Sequence, residues 1–260
     1  MAEALEFTPH EGVISQPRTP TIDEQRQCWD WHWHNWWDRK AINEWALKRG
    51  ERVLDMLGSL QLDRPRILDL GCGMGWFSQE LSRFGSVTGI DLSEEAIAKA
   101  KASYPHITFL AGNALTHALP TGQFDVVVSQ EVLAHVEDQA KYLEVAASTL
   151  RSGGYFILTT VNRFVVDRIG NRDWDPWPPE HIERFLDMKS MRRLVSPLFR
   201  VLRATTILPV MGKTGILRFV NSYKLNKALS LLIPERLLEA LKERAGFGYC
   251  IIVLAQKRDP

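Results

Sequence analysis

The 260-residue chain predicts an α/β fold with a doubly wound, mostly parallel sheet, on three observations. Short apolar runs alternate with helical stretches between residues 66 and 161, a glycine-bearing turn follows the first run, and an acid closes the second. The runs at 67–70, 87–90, 107–111, 124–129 and 155–161 are each bounded by turn or helix signals, as buried parallel strands are. In the intervals, Phe77, Leu81 and Phe84 share a helical face, and Ala140, Leu143, Ala147 and Leu150 share another. Ser93 is placed to cap a helix whose first turn carries Glu94 and Glu95. Two later runs, 199–207 and 249–256, would complete a seven-stranded sheet, with a mainly helical insertion at 211–245 between them.

Four segments follow. Residues 1–21, with Pro9, Gly12, Pro17 and Pro20 among polar residues, read as a flexible arm. Residues 22–62 read as two helices forming a Trp-rich lid, with Trp29, Trp33 and Trp36 or Trp37 at helical spacing. Residues 63–162 form the binding core, and 163–260 supply an acceptor-side lid and the last strands.

Composition narrows the class. With 45% hydrophobic and 24% charged residues the chain can bury a core and is not disordered throughout. A formal net charge of +1 gives no overall attraction to polyanions. Three scattered cysteines, Cys28, Cys72 and Cys250, do not make a disulfide framework and favour a reducing compartment. No apolar run follows a basic N-terminal stretch, and no window approaches the roughly 20 apolar residues a bilayer span needs. The expected location is the cytoplasm, with a peripheral position at the inner membrane surface left open by the basic segment described below.

The chemistry lies in Ile67-Leu68-Asp69-Leu70-Gly71-Cys72-Gly73-Met74-Gly75, a strand running into glycines before a helix. Open α/β sheets bind ligands at this edge, where glycines let the backbone approach them. Asp91 falls twenty positions after Gly71, the spacing at which an acid reaches the hydroxyls of a ribose. A dinucleotide fingerprint would need a small residue at position 76, which is Trp76. Asp69, just before the turn, would repel a pyrophosphate but can hold an ammonium. A nucleoside with a zwitterionic amino-acid tail fits these features better than a dinucleotide.

This stretch resembles motif I of the class I S-adenosylmethionine-dependent methyltransferases, an acid followed by G-x-G-x-G. The resemblance continues through Val87-Thr88-Gly89-Ile90-Asp91-Leu92-Ser93, Gly112-Asn113-Ala114, the run Phe124 to Val136, and Gly153-Gly154-Tyr155. It implies a Rossmann-like class I fold with S-adenosyl-L-methionine as cofactor. The implied cofactor-binding positions are Asp69, Gly71, Cys72, Gly73, Met74, Gly75, Asp91, Leu92, Asn113, Ala114, Gln130 and Glu131. Asn113 stands where many relatives have Asp, and its amide oxygen can still accept from the adenine amine. Trp36-Trp37-Asp38, Glu131-Val132-Leu133-Ala134-His135-Val136 and Thr160-Val161-Asn162-Arg163 are similar to ubiquinone-pathway O-methyltransferases.

The expected reaction is methyl transfer to a hydroxyl of a small molecule, such as a quinone precursor, a natural product or a glycoconjugate sugar. An amine or carbon acceptor is the alternative, and a non-catalytic cofactor-binding scaffold for a membrane or protein partner is the alternative of another class. A hydroxyl needs a base, and His181 is favoured over His135 for that role. Trp33, Trp37, Asn162, Arg163, Trp174 and Trp177 are the candidate lid and acceptor residues. Cys28, His32 and His34 have partial zinc spacing but no evident fourth ligand, so no metal is expected. Ser129-Gln130-Glu131-Val132 stands where base-modifying relatives carry Asn/Asp-Pro-Pro-aromatic, so DNA is not an expected partner.

Between Asp187 and Glu235 there is no acidic residue, against nine lysines and arginines. Apolar residues share that stretch, so segment 188–234 is a candidate contact for anionic lipid or a phosphate-bearing substrate; a lid or a homodimer helix with a solvated basic face is the competing reading.

Overall fold

The computed structural model describes residues 19–37, 43–169, 181–210 and 215–259. A seven-stranded sheet runs in the order β3-β2-β1-β4-β5-β7-β6. Its strands are β1 (Arg66–Leu70), β2 (Ser86–Asp91), β3 (Thr108–Ala111), β4 (Phe124–Gln130), β5 (Leu150–Val161), β6 (Phe199–Pro209) and β7 (Gly248–Lys257). The first five pair in parallel, and β7 inserts antiparallel between β5 and β6. All seven runs expected from sequence are strands, and the order reverses at β1, where doubly wound sheets open a crevice between β1 and β4.

Helices α1 (Ile22–Trp37) and α2 (Glu44–Ser59) precede the sheet. α3 (Trp76–Leu81), α4 (Glu94–Ser103) and α5 (Gln139–Thr149) cross over between strands. α6 (Arg163–Ile169) and α7 (Met188–Val195) follow β5, and α8 (Gly215–Val220), α9 (Tyr223–Leu229) and α10 (Glu235–Arg244) lie between β6 and β7. The Ser93 cap forms as its residue type predicts, its side chain accepting from the Ala96 amide at 3.0 Å. α3 is shorter than the pattern through Phe84 suggests, because the chain turns after Leu81 to enter β2.

Two apolar layers sandwich the sheet. One gathers Val53, Met56 and Leu57 of α2 with Phe77, Leu81, Ile97 and Ile157; the other gathers Leu68, Leu70, Val127, Leu143, Phe156 and Phe199. α2 lies so close to α3 that a Cβ at Gly50 would meet the Phe77 ring at 3.0 Å and the Trp76 ring at 3.1 Å.

Candidate active site

The glycine turn is built by the strands on either side. The amides of Gly71 and Cys72 donate to the Ile90 carbonyl at 2.8 and 3.0 Å, carrying the chain out of β1 toward the end of β2. Gly71, Gly73 and Gly75 have φ of 86°, 51° and 79°, a region costly for any residue with a Cβ. The Asp91 carboxylate closes the turn: one oxygen accepts from the Gly73 amide at 2.8 Å, the other from the Ser93 amide at 3.0 Å. Each oxygen keeps a lone pair beyond those bonds.

Asp69 is buried beneath the turn, and its Oδ2 accepts from the Ser78 hydroxyl at 2.6 Å. Burial pushes its carboxyl up to about 7, against the opposing pull of the Ser78 bond. Burial likewise raises Asp91, while the amides of Ser93 and Gly73 hold it back.

Next to Asp91, a hollow of about 200 Å³ is lined by Ile22, Arg26, Leu92, Glu94, Gly112, Asn113 and Thr116. Asn113 Oδ1 accepts from the Leu115 amide at 2.9 Å, which fixes the loop and leaves the oxygen's second lone pair. Leu92 and Asn113 therefore border the same hollow, while Ala114 packs against the core. A hollow of about 480 Å³ beside Leu54, Gly58 and Phe84 lies at the opposite, amino-terminal edge of the sheet, away from these groups.

Cys72 enters the turn through its backbone. Its side chain is buried in the core against Gly89, and burial raises its thiol well above the usual range, so only its backbone faces the turn. Met74 stays half-buried at the rim.

At the end of β4 the chain turns sharply, with Glu131 at φ 58°. Glu131 accepts from the Thr159 hydroxyl at 2.9 Å and lies 3.9 Å from Arg49 of α2, whose Nε donates to Gln130 at 3.1 Å. Gln130 and Glu131 thus bind α2 to the β4 and β5 ends. Arg49 and Thr159 were not anticipated, since Arg49 meets Gln130 across 81 residues of sequence.

The Trp-rich helix covers this edge. The ring of Trp33 lies against the glycine turn, where a Cβ on Gly73 would come within 2.7 Å of it. α1 is fastened to α4 by Asp30, which accepts from the Glu95 amide at 3.2 Å and from the Ser93 hydroxyl, and by Lys99, which donates to the Trp33 carbonyl at 3.1 Å. Trp37 ends α1, while its side chain, and the whole of Trp174 and Trp177, lie outside the described residues.

Trp29 of the same helix meets three imidazoles edge-on: His135 at 5.1 Å, His32 at 5.4 Å and His181 at 5.5 Å between ring centroids. His135 and His181 stack on each other at 4.6 Å. His135 Nδ1 lies 2.8 Å from the Ile182 carbonyl, so that nitrogen carries the proton and Nε2 is the lone-pair nitrogen of the neutral ring. Burial, with the proximity of the other imidazoles, lowers His181 to about 3; burial and His135 lower His32 to about 4. His135 is also lowered by burial, but the Ile182 carbonyl, Glu131 and Glu183 counteract this.

Asn162 does not face an acceptor. Its amide donates to the Gly246 and Gly248 carbonyls at 3.0 and 2.9 Å, and its oxygen accepts from the Phe164 amide at 3.2 Å, making it a buried bracket between β5 and β7. Arg163 pairs with Asp187 at 2.8 Å on the surface. Of the partial zinc spacing, Cys28 is buried in the core and His34 lies 3.4 Å from Glu95. No grouping of three or more metal-ligating side chains occurs among the described residues.

The sheet order, the glycine turn and the closing acid define the fold of the class I S-adenosylmethionine-dependent methyltransferases. Residues 68–158 match the family model described as "Methyltransferase domain". The chain is 35% identical over 147 residues to a ubiquinone biosynthesis O-methyltransferase of Aromatoleum aromaticum. That match takes in 50% of this chain and 58% of the relative, so the chain aligns with little more than half the length of the curated relatives it matches. Among solved structures, an S-adenosylmethionine-dependent methyltransferase from Mesorhizobium loti is similar with TM-score 0.55 and 22% identity, covering 78% of this chain and 96% of that one. The N-methyltransferase NodS from Bradyrhizobium japonicum, solved with S-adenosyl-l-homocysteine, gives TM-score 0.60 at 16% identity, covering 91% and 100%. These likenesses establish the fold.

Proposed function

We propose that the chain is an S-adenosylmethionine-dependent methyltransferase that methylates a hydroxyl of a small molecule. The observation that carries this reading is the Asp91 carboxylate bridging Gly73 and Ser93 at the mouth of a hollow bordered by Leu92 and Asn113. Asp91 would hold the ribose, Asn113 the adenine amine, the backbone of 71–75 the tail, and Asp69 the ammonium. When bound, S-adenosylmethionine supplies a methyl group on a sulfonium, open to in-line displacement. Isothermal calorimetry tests the reading: micromolar binding of S-adenosylmethionine and S-adenosylhomocysteine is expected, and binding of a nicotinamide dinucleotide in their place would overturn it. A tritiated-methyl screen against fractionated metabolites then identifies the acceptor.

The chain's own part is to orient the acceptor, exclude water and take a proton. Trp33 and Trp29 close the edge, which supports a site that excludes water. Between the two candidate bases, the geometry favours His135. Its proton is fixed on Nδ1 by Ile182, leaving Nε2 to accept, and two carboxylates oppose the lowering of its basicity. His181, held near 3, is a poor match to neutral pH and serves to pack and orient His135. His135→Gln is expected to lower kcat about 10²–10⁴-fold with donor affinity unchanged. His181→Ala should cost less and shift the pH profile; equal losses in the two variants would remove the distinction.

Asp69 makes donor affinity depend on pH. An ammonium above the carboxylate favours its ionised form, so binding expels a proton below pH 7 and affinity climbs by up to tenfold per unit toward that value. It falls again above about pH 8, where an α-amino group loses its charge. Asp69→Asn should flatten the acidic limb in calorimetry across pH 5.5–9.

We place the protein at the cytoplasmic side of a membrane or free in the cytoplasm. No described helix is long and apolar enough to cross a bilayer. The basic, apolar segment 188–234 is where an anionic surface or a phosphate-bearing acceptor would meet it.

A further inference from the structure

We infer that α8, α9 and the turn after α9 form a docking surface for an anionic lipid bilayer, placed at the mouth of the methyl-transfer site. The docking claim stands on the surface itself; only the word "site" rests on the function proposed above.

Five of the eleven exposed large hydrophobic residues of the described chain, Ile216, Phe219, Tyr223, Leu231 and Leu232, fall in α8, α9 and the turn after α9. Phe219 is 68% exposed, Tyr223 73%, and Leu231 and Leu232 84% each. These are side chains that a water-facing lid has no reason to carry so openly, and their concentration in one stretch marks a contact surface. α8 shows how they are presented. Leu217 is wholly buried and anchors the helix, while its neighbours Ile216 and Phe219 point outward. α9 buries no residue at all.

Charge selects the occupant. From 188 to 234 the sequence has no acid, and Arg218, Lys224 and Lys227 sit among the exposed apolar side chains. Cationic side chains interleaved with protruding leucine and aromatic groups match the headgroup and acyl boundary of an anionic membrane, where each basic residue near the surface contributes and each apolar tip inserts. Acidic residues return in α10, where Glu235 and Glu239 are exposed.

Topology puts the surface where an acceptor would be delivered. β6 runs antiparallel to β7 and ends with Pro209 opposite Gly248, while Val161 at the end of β5 pairs with Cys250. The insertion therefore leaves the sheet at the same edge as the ends of β4 and β5, the edge that carries Gln130. Arg52 of α2 grips Glu243 of α10 at 2.9 Å, and Trp45 of α2 meets Tyr249 at 5.0 Å, so the helix that carries Arg49 to the site also braces the insertion. A bilayer engaged by Phe219, Leu231 and Leu232 would lie against that edge.

Sedimentation with vesicles of phosphatidylcholine alone, and of phosphatidylcholine with phosphatidylglycerol, tests this without donor or acceptor. The wild-type chain is expected to bind the anionic vesicles at least tenfold more tightly than the neutral ones, with affinity falling as salt rises. Leu231→Ser/Leu232→Ser should lose tenfold or more at every salt concentration, whereas Lys224→Gln/Lys227→Gln should lose chiefly the salt-dependent part. Calorimetry with S-adenosylhomocysteine should give one affinity for all three proteins, showing that they are folded and keeping failure of docking separate from failure of the cofactor reading. No binding to anionic vesicles at low salt, equal binding by the leucine variant, or a wild-type dimer that the leucine variant splits would each overturn the inference, the last by naming a second copy as the occupant.

Discussion

Gly71→Ala is expected to abolish measurable S-adenosylmethionine binding and to lower the melting temperature by several degrees. Two costs combine at this position. The backbone sits at φ 86°, where a Cβ is strained by about 1–3 kcal/mol. The new methyl would also stand 2.2 Å from Cγ2 and 3.1 Å from Cγ1 of Val132, a β-branched residue held by the turn after β4. Neither partner can yield cheaply, because the Gly71 amide is tied to Ile90 and the 132–135 turn is closed by the His135 amide bonding to the Val132 carbonyl at 2.8 Å. Relief comes by moving the turn, which displaces Gly73 from Asp91 and so disrupts the proposed ribose and tail contacts together. Gly122→Ala is the control: its φ is 66° but a Cβ there meets nothing within 4 Å, so it bears the strain without the collision. Calorimetry and thermal melts on both variants decide the matter. If Gly71→Ala binds donor within threefold of wild type and melts like Gly122→Ala, the turn is not a rigid cradle.

The contrast between those two glycines shows how far the sequence could be read. A glycine turn after a buried strand, an acid at the end of the next and a Ser-Glu-Glu helix start are local patterns, and each became the element it predicted because the forces behind it act within a few residues. Strands β1 to β5 were legible for the same reason, their apolar runs being bounded by caps and turns. The antiparallel insertion of β7 between β5 and β6 was not read, although the near-continuous apolar run of β7 beside the Arg- and Thr-bearing run of β6 is the local sign of an interior strand next to an edge strand. The Arg49–Gln130 contact, the Trp29 ring cluster and the buried bracket at Asn162 were hidden. Each joins residues tens of positions apart, and Asn162 in particular shows that a polar residue near a site edge can be wholly consumed by backbone. Glu131 in a left-handed conformation has no local sequence signal either; it is held there by Thr159 on the neighbouring strand.

Acidification should release the α1 lid before the sheet melts. Trp29 is wedged against His32, His135 and His181, all three of which are held uncharged by burial, His32 at about 4 and His181 at about 3. In the unfolded chain the same imidazoles titrate near 6.5, and undocking of α1 moves His32 and the faces of His135 and His181 that Trp29 covers toward that value. As the pH falls below 6.5 the open form binds protons that the closed form refuses, so closed-state stability declines from 6.5 toward 4, at up to about 1.4 kcal/mol per pH unit for each histidine. Between pH 7.5 and 5 this amounts to at most about 2 kcal/mol each for His32 and His181, and less for His135, whose charge Glu131 and Glu183 would partly offset. A penalty of up to about 4 kcal/mol is comparable to what a single docked helix gains, but is smaller than the stability of a packed seven-stranded sheet. Hydrogen exchange at pH 7.5 and pH 5 should therefore show α1 amides losing protection roughly a hundredfold or more, after correction for intrinsic exchange, while those of β1 and β4 change far less. His32→Gln, which removes one titrating ring while keeping a polar side chain, should flatten that response by about one proton; if α1 and β4 instead lose protection together, or the variant follows the wild-type curve, the imidazole cluster is not what makes the lid sensitive to acid.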